Sequence, residues 1–296
     1  MATRESCGSE VGRRNDRMAS IADNLVTAVR CGEPSLATGF AGIDRLTGGL
    51  RSGDFLLLAG YPGMGKTALA TSLAISIGIK QMKPVAFLSL QMAAGALCDR
   101  FLSALARVDL RRLRSGPLSR QDKVRLAQAS SRCSQSLIRV SDRNLSGLDD
   151  LATLVRSGGS RAPLIILDGM QSLIAAGDHA LGEVEQLECF SRGLKLMARE
   201  MRVPVIATCQ LPIDPADPAL WQPEPPSPFQ LGGLGEDPDL VILLHRQEHQ
   251  LRRIGQPVPQ HLIERAQLIV AKNRSGPAGR CAVIFQSDSL RFEDRS

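Results

Sequence analysis

The residues Gly60-Tyr61-Pro62-Gly63-Met64-Gly65-Lys66-Thr67 fit the pattern G-x-x-x-x-G-K-(S/T), and Ala68 continues behind them. Glycines at this spacing let backbone N–H groups approach phosphate oxygens, and a helix opening at Lys66 adds its positive end. Lys66 is then placed to reach the β- and γ-phosphates of a nucleotide, and the Thr67 hydroxyl to ligate Mg²⁺. Gly60, Pro62, Gly63, Met64, Gly65, Lys66, Thr67 and Ala68 are therefore the expected phosphate cradle. Such a loop needs a carboxylate at the end of a nearby strand to hold the metal, directly or through water. Leu164-Ile165-Ile166-Leu167-Asp168 supplies it, with four apolar residues and then one Asp. Hydrolysis further needs a group that orients or deprotonates the attacking water. The corresponding strand end reads Ser89-Leu90-Gln91-Met92. Gln91 offers an amide, which can hydrogen-bond water but cannot take its proton.

To present these groups together the chain must alternate in the βα sense, and it does. Residues 55–59 read as a buried strand, 66–77 as a helix and 85–90 as a second strand. Two helices follow, at 93–108 and 119–130, the second opened by Ser119-x-x-Asp122 in the manner of a capping box. Residues 137–140 and 164–167 are further strands, 183–201 a long helix, and 203–208 another short buried strand. The proline-rich stretch 212–238 reads as an irregular excursion. Three strands, 240–244, 266–271 and 280–285, close the pattern, with a tight turn at Ser275-Gly276-Pro277. Ahead of the first strand, Met18, Ile21, Ala22, Leu25, Val26 and Val29 recur at helical spacing. That helix has no core of its own and must dock its apolar stripe elsewhere.

Composition excludes several classes. With 296 residues, 43% apolar and 22% charged, the chain has ordinary globular composition and can build one large α/β domain. Seven scattered cysteines, an odd number with no C-x-x-C pair, argue against a disulfide framework or a zinc ribbon. No run approaches the roughly 20 apolar residues that span a bilayer, and the N-terminus has no apolar stretch for a secretory signal. The expectation is a soluble cytoplasmic protein with no membrane partner. A formal charge of +6 fits an acidic partner such as nucleic acid or nucleotide.

Taken together, these residues resemble the ATPase half of DnaB-type replicative DNA helicases, a RecA-like fold. The resemblance runs over residues 38–292 and rests on Thr38-Gly39-Phe40 with Ile43-Asp44, the phosphate loop, and Ser89-Leu90-Gln91-Met92. It continues through Leu113-Arg114-Ser115-Gly116, Leu167-Asp168-Gly169-Met170-Gln171, Ser191-Arg192-Gly193-Leu194-Lys195, Gln210-Leu211 and Ala271-Lys272-Asn273-Arg274-Ser275-Gly276-Pro277. The last motif is the most specific, because the related KaiC and RadA share the opening and not that ending. The resemblance implies an α/β, RecA-like domain with a central, mostly parallel twisted sheet and an N-terminal linker helix. Residues 1–14 are then a flexible leader, 15–37 the linker helix and connector, and 38–296 the ATPase domain. No N-terminal collar domain is expected within the chain. It further implies a homo-oligomer, a hexameric ring binding Mg²⁺ and ATP between subunits and acting on single-stranded DNA in replication. In that arrangement Arg274 and Lys272 reach into a neighbour's site, and Gln210 senses the γ-phosphate.

The chain also departs from the family's pattern. Gln91 stands where the family carries its catalytic Glu, which predicts slowed hydrolysis. The two loops expected to face the channel carry no cation, since neither 169–191 nor 203–245 contains Lys or Arg. Single strands should therefore bind more weakly, and with less salt dependence, than is usual for the family. Positive charge gathers instead in residues 96–161, with thirteen Arg or Lys against six Asp, a solvated outer face. The leading expectation is an ATP-dependent DNA helicase. Its alternatives are a catalytically weakened ATP-binding regulator and a KaiC- or RadA-like recombination ATPase.

Overall fold

The computed structural model describes residues 35–143, 145, 147–157, 163–176, 182–211 and 228–295. The linker helix and leader expected from the sequence lie outside these residues, as does 212–227 of the proline-rich excursion. A nine-stranded sheet is the frame. In chain order its strands are β1 (Phe55–Gly60), β2 (Val85–Ser89), β3 (Ile138–Ser141), β4 (Leu164–Asp168), β5 (Val205–Gln210), β6 (Leu240–His245), β7 (Arg265–Asn273), β8 (Gly279–Gln286) and β9 (Arg291–Asp294). Their spatial order is β3-β2-β4-β5-β1-β6-β7-β8-β9. The six strands from β3 to β6 run parallel, and β7, β8 and β9 add antiparallel at one edge.

Strands covered on both faces must be apolar throughout. β1, β4 and β6 are buried at every position, and their side chains form the middle of a single large core. Helices pack around the sheet: α1 (Ala41–Thr47), α2 (Lys66–Ile75), α3 (Ala94–Ala106), α4 (Leu110–Ser115), α5 (Arg120–Ser134), α6 (Leu148–Ser157), α7 (Glu183–Met201) and α8 (Gln247–Arg253). The capping box expected at the start of α5 is present, Ser119 Oγ accepting from the Asp122 amide at 3.0 Å and Asp122 Oδ2 from the Ser119 amide at 3.1 Å.

Several boundaries differ from the sequence reading. The helix expected at 66–77 is α-helical only to Ile75 and then widens into a π-turn, Ser76–Lys80, where Gly78 lies against Ile138. The strand expected from 203 starts at Val205, because Pro204 has no N–H to give a ladder and offers only its carbonyl, to Ile165. Within the excursion, Pro228–Gly235 winds into 3₁₀ turns broken at Gly232. The sequence reading omitted α1, α4, α6, α8 and β9, five short elements.

Candidate nucleotide-binding site

Register along the sheet brings the predicted groups together. Gly60 at the end of β1 pairs with Gln210 at the end of β5, and Ser89 at the end of β2 pairs with Asp168 at the end of β4. The carboxyl ends of parallel strands are where α/β sheets open a crevice. Here the crevice is a cleft of about 440 Å³ lined by Lys66, Thr67, Asp168, Gln91 and Gln210, with Gly63, Gly65 and Ala68 along the loop. Pro62 belongs to the outer wall of the loop. Met64 turns inward and is fully buried, its Sδ accepting from the Arg246 amide at 3.3 Å.

The loop is already wound. Gly65 holds the N-cap position of α2 at φ 99, a left-handed conformation suited to glycine, and no side chain caps the helix there. Its first amides stay available to an anion. Lys66 Nζ donates to the carbonyls of Gly60 at 2.8 Å and Tyr61 at 3.1 Å. Burial lowers the Lys66 ammonium to about 8, against the opposing influence of Cys209 and Asp168.

Asp168 is 1% exposed. Its Oδ1 accepts from the Thr208 hydroxyl at 2.7 Å, and that hydroxyl accepts in turn from the Gly169 amide at 2.7 Å. Its Oδ2 is buried with no hydrogen-bond partner. Burial raises the Asp168 carboxyl above its usual range, while the hydroxyls of Thr208 and Thr67 and the charges of Arg100 and Lys66 pull it down. A buried carboxylate oxygen left free beside a threonine hydroxyl fits a divalent cation. No group of three His, Cys, Asp or Glu side chains is placed to hold a metal among the described residues. So small a protein donor set suits magnesium, which keeps waters and substrate phosphates as its remaining ligands.

Gln91 lies at the mouth of the cleft against Gly169, whose φ is 94. That left-handed backbone favours glycine, and a β-carbon at residue 169 would meet the Gln91 side chain at 2.6 Å and push it aside. Gln171 Nε2 donates to the Gln210 carbonyl at 2.8 Å and fixes the end of β5.

Lys272 and Arg274 are not part of this cleft. Lys272 pairs with Val241 and Asn273 with Leu240, at the end of the sheet where β1 begins. The six residues of β1 span about 20 Å, which separates the two cations from their own phosphate loop. Lys272 Nζ donates to the carbonyls of Gly235 and Glu236, and Arg274 donates to the Glu236 carbonyl at 2.8 Å.

Two further cations line the cleft that the sequence reading did not assign to it. Arg100, on α3, has a buried Nε without a partner and faces the Asp168 charge. Arg246 follows β6 directly, lies 3.9 Å over the Phe285 ring and also has a buried Nε without a partner. Burial lowers the Arg246 guanidinium to about 10. A cation immediately after a buried parallel strand was the available signal for Arg246. Arg100 had none beyond its place on a helix whose neighbours Leu97, Phe101 and Ala104 are core.

Comparison with known proteins points one way. A family model described as DnaB-like helicase C terminal domain matches residues 35–294. The replicative DNA helicase DnaB of Leifsonia xyli subsp. xyli (strain CTCB07) is 34% identical over 262 residues, covering 87% of this chain and 55% of the relative. That of Treponema pallidum (strain Nichols) is 31% identical over 264 residues, covering 88% and 56%. The chain thus spans about half the length of the curated relatives it matches. Among solved structures, a DnaB-like replicative helicase, solved in a study of its interactions with primase, superposes with a TM-score of 0.80 at 23% identity, covering 94% of this chain and 66% of the other. An isolated ATPase domain from a second protein also gives 0.80 at 23%, covering 95% and 98%. At that identity these two superpositions establish a shared fold.

Proposed function

The chain belongs to the DnaB-like helicase C-terminal domain family, and from that premise we propose that it is the ATP-hydrolysing motor domain of a ring-forming DNA helicase. The separation of the cleft from Lys272 and Arg274 carries this reading. One end of the sheet holds everything needed to bind a nucleoside triphosphate, and the cations that would neutralise its transition state sit at the other end. A second copy of the chain is what brings both to one nucleotide.

In this reading the loop amides and Lys66 bind the β- and γ-phosphates, and Thr67 and Asp168 hold Mg²⁺. Bound there, the ion supplies charge neutralisation to the phosphate oxygens. Gln91 and Gln210 flank the γ-phosphate, where an amide orients water by hydrogen bonding and leaves it protonated. Arg246, stacked on the buried Phe285 ring, offers a planar cation to the rest of the nucleotide. Arg274, with Lys272, reaches across to stabilise charge on the neighbour's γ-phosphate. The predicted cation-poor segments make single-stranded DNA a weak partner held chiefly through backbone amides. No helix among the described residues is long and apolar enough to cross a membrane.

Gln91 favours a second reading, an ATP-binding subunit that assembles with a partner helicase and turns over slowly. Steady-state ATP hydrolysis, with and without single-stranded DNA and beside Lys66→Ala, separates the two. DNA-stimulated turnover that vanishes in Lys66→Ala supports the motor. ATP binding without turnover and indifferent to DNA supports the regulator.

A further inference from the structure

The residues that hold Lys272 and Arg274 form a built platform. The carbonyls of Gly235 and Glu236 take three hydrogen bonds from the two cations. Asp239 anchors the same stretch. Its Oδ2 accepts from the Phe55 amide at 2.8 Å, at the first residue of β1, and from Lys195 Nζ on α7. Its Oδ1 lies 3.9 Å from Arg274 Nε, and its carbonyl accepts from the Arg274 amide at 2.9 Å. Asp239 side-chain exposure is 13%, so its charge is little diluted by water. The platform is fixed laterally as well, with Ser191 Oγ donating to the Leu234 carbonyl at 3.3 Å and Arg192 lying 3.8 Å from Asp237. Buried Pro238 stiffens the link between Asp237 and Asp239.

Long, flexible cations lose most of their usefulness when their heads wander, since a misplacement of about 1 Å can cost on the order of 10²-fold in rate. Asp239 touches neither the phosphate loop nor the cleft, yet it joins β1, α7 and Arg274. We infer that Asp239 is a positioning residue for the trans cations: with the Gly235 and Glu236 carbonyls it sets where Lys272 and Arg274 project toward a neighbouring subunit's γ-phosphate. This inference rests on the trans assignment proposed above. It also gives the 3₁₀ turns Pro228–Gly235 a route to the reacting phosphate, because whatever shifts that segment shifts the carbonyls holding both cations.

The test is complementation in mixed rings. Asp239→Asn keeps the shape and an acceptor for Phe55 while removing the charge. Its kcat is expected to fall about tenfold to a hundredfold with KM for ATP unchanged, since the phosphate loop is untouched. Mixed with Lys66→Ala subunits it should regain activity, because hybrid interfaces then pair its sound loop with sound cations. Mixed with Arg274→Ala subunits it should regain none. Pro238→Gly, which loosens the same segment without altering a charge, should behave alike and stands in should Asp239→Asn fail to fold. Thermal unfolding of each variant establishes folding independently. Full kcat in both variants, or loss that Lys66→Ala cannot rescue although Arg274→Ala is rescued by it, overturns the positioning role. Failure of the Arg274→Ala and Lys66→Ala pair itself to rescue overturns the trans assignment instead.

Discussion

Where the parallel strands finish, the molecule leaves several buried polar atoms waiting; where they begin, it holds its half-exposed cations engaged. The finishing end holds Asp168 Oδ2, Arg100 Nε and Arg246 Nε, all buried without partners, around a wound glycine loop. Lys272 and Arg274, at the beginning end, are satisfied by main-chain carbonyls and by Asp239. Unpaired buried polar atoms cost stability and persist where a ligand completes them. The half-exposed cations at the other end already have their partners and wait for no ligand of their own. On the trans assignment proposed above, one end is a receptor and the other a tool for a neighbour's receptor.

The sharpest way to break this division is to damage each end and ask whether the damage is separable. Lys66→Ala removes the ammonium from the receptor end, and ATP turnover should fall to background in a steady-state assay. Arg274→Ala removes the tool and should lower turnover by about 10³–10⁵ while leaving binding of a fluorescent ATP analogue intact. Combined in one ring, the two variants should restore part of the activity. If Arg274→Ala abolished nucleotide binding instead, the two ends would not be functionally distinct. A smaller change sharpens the receptor end alone. Gln91→Glu supplies a proton acceptor and should raise turnover at least about tenfold. Unchanged turnover would remove position 91 from the mechanism.

The smallest expected effect concerns the outer wall of the loop. The His249 ring, on α8, rests on Gly63 and hydrogen-bonds the Pro62 carbonyl. Burial, Arg246 and Arg253 lower its pKa, against the pull of the Pro62 carbonyl and Glu248. Below about pH 6.5 the unfolded chain takes up a proton that the folded chain resists, so stability falls on acidification. His249→Gln should flatten that slope, by about 1–2 °C in the thermal midpoint at pH 5.5 relative to pH 7.5. An identical slope in the variant would show that this contact does not couple to protons.

What the sequence revealed follows the same division. The phosphate loop, Asp168 and the Ser119–Asp122 capping box were legible because their chemistry lies in adjacent residues and an apolar strand points at it. Lys272 and Arg274 were assigned through resemblance alone, and their distance from the cleft needed the register of β6 against β7. Arg100 meets Asp168 only through the packing of α3 on the sheet. The omitted elements carry little local signal. No residue of α4 is buried, its start being set by Asp109 accepting from the Arg111 and Arg112 amides. β9 has four residues, of which Phe292 alone is buried. Its place is decided by pairing with β8 and by the Phe292 amide donating to Ser72 Oγ at 3.0 Å. Tertiary partners, not periodicity, make such segments regular.

The lysine that closes on its own loop has a thermodynamic consequence. By holding the Gly60 and Tyr61 carbonyls, Lys66 keeps the chain ordered before any phosphate arrives. An incoming triphosphate then spends little entropy on folding the loop, but it must exchange two formed hydrogen bonds for its own. Binding heat should accordingly be muted and the entropy comparatively favourable. Lys66→Met, which leaves the loop unlatched, should bind with a larger entropic cost per contact made, a difference calorimetry reads directly.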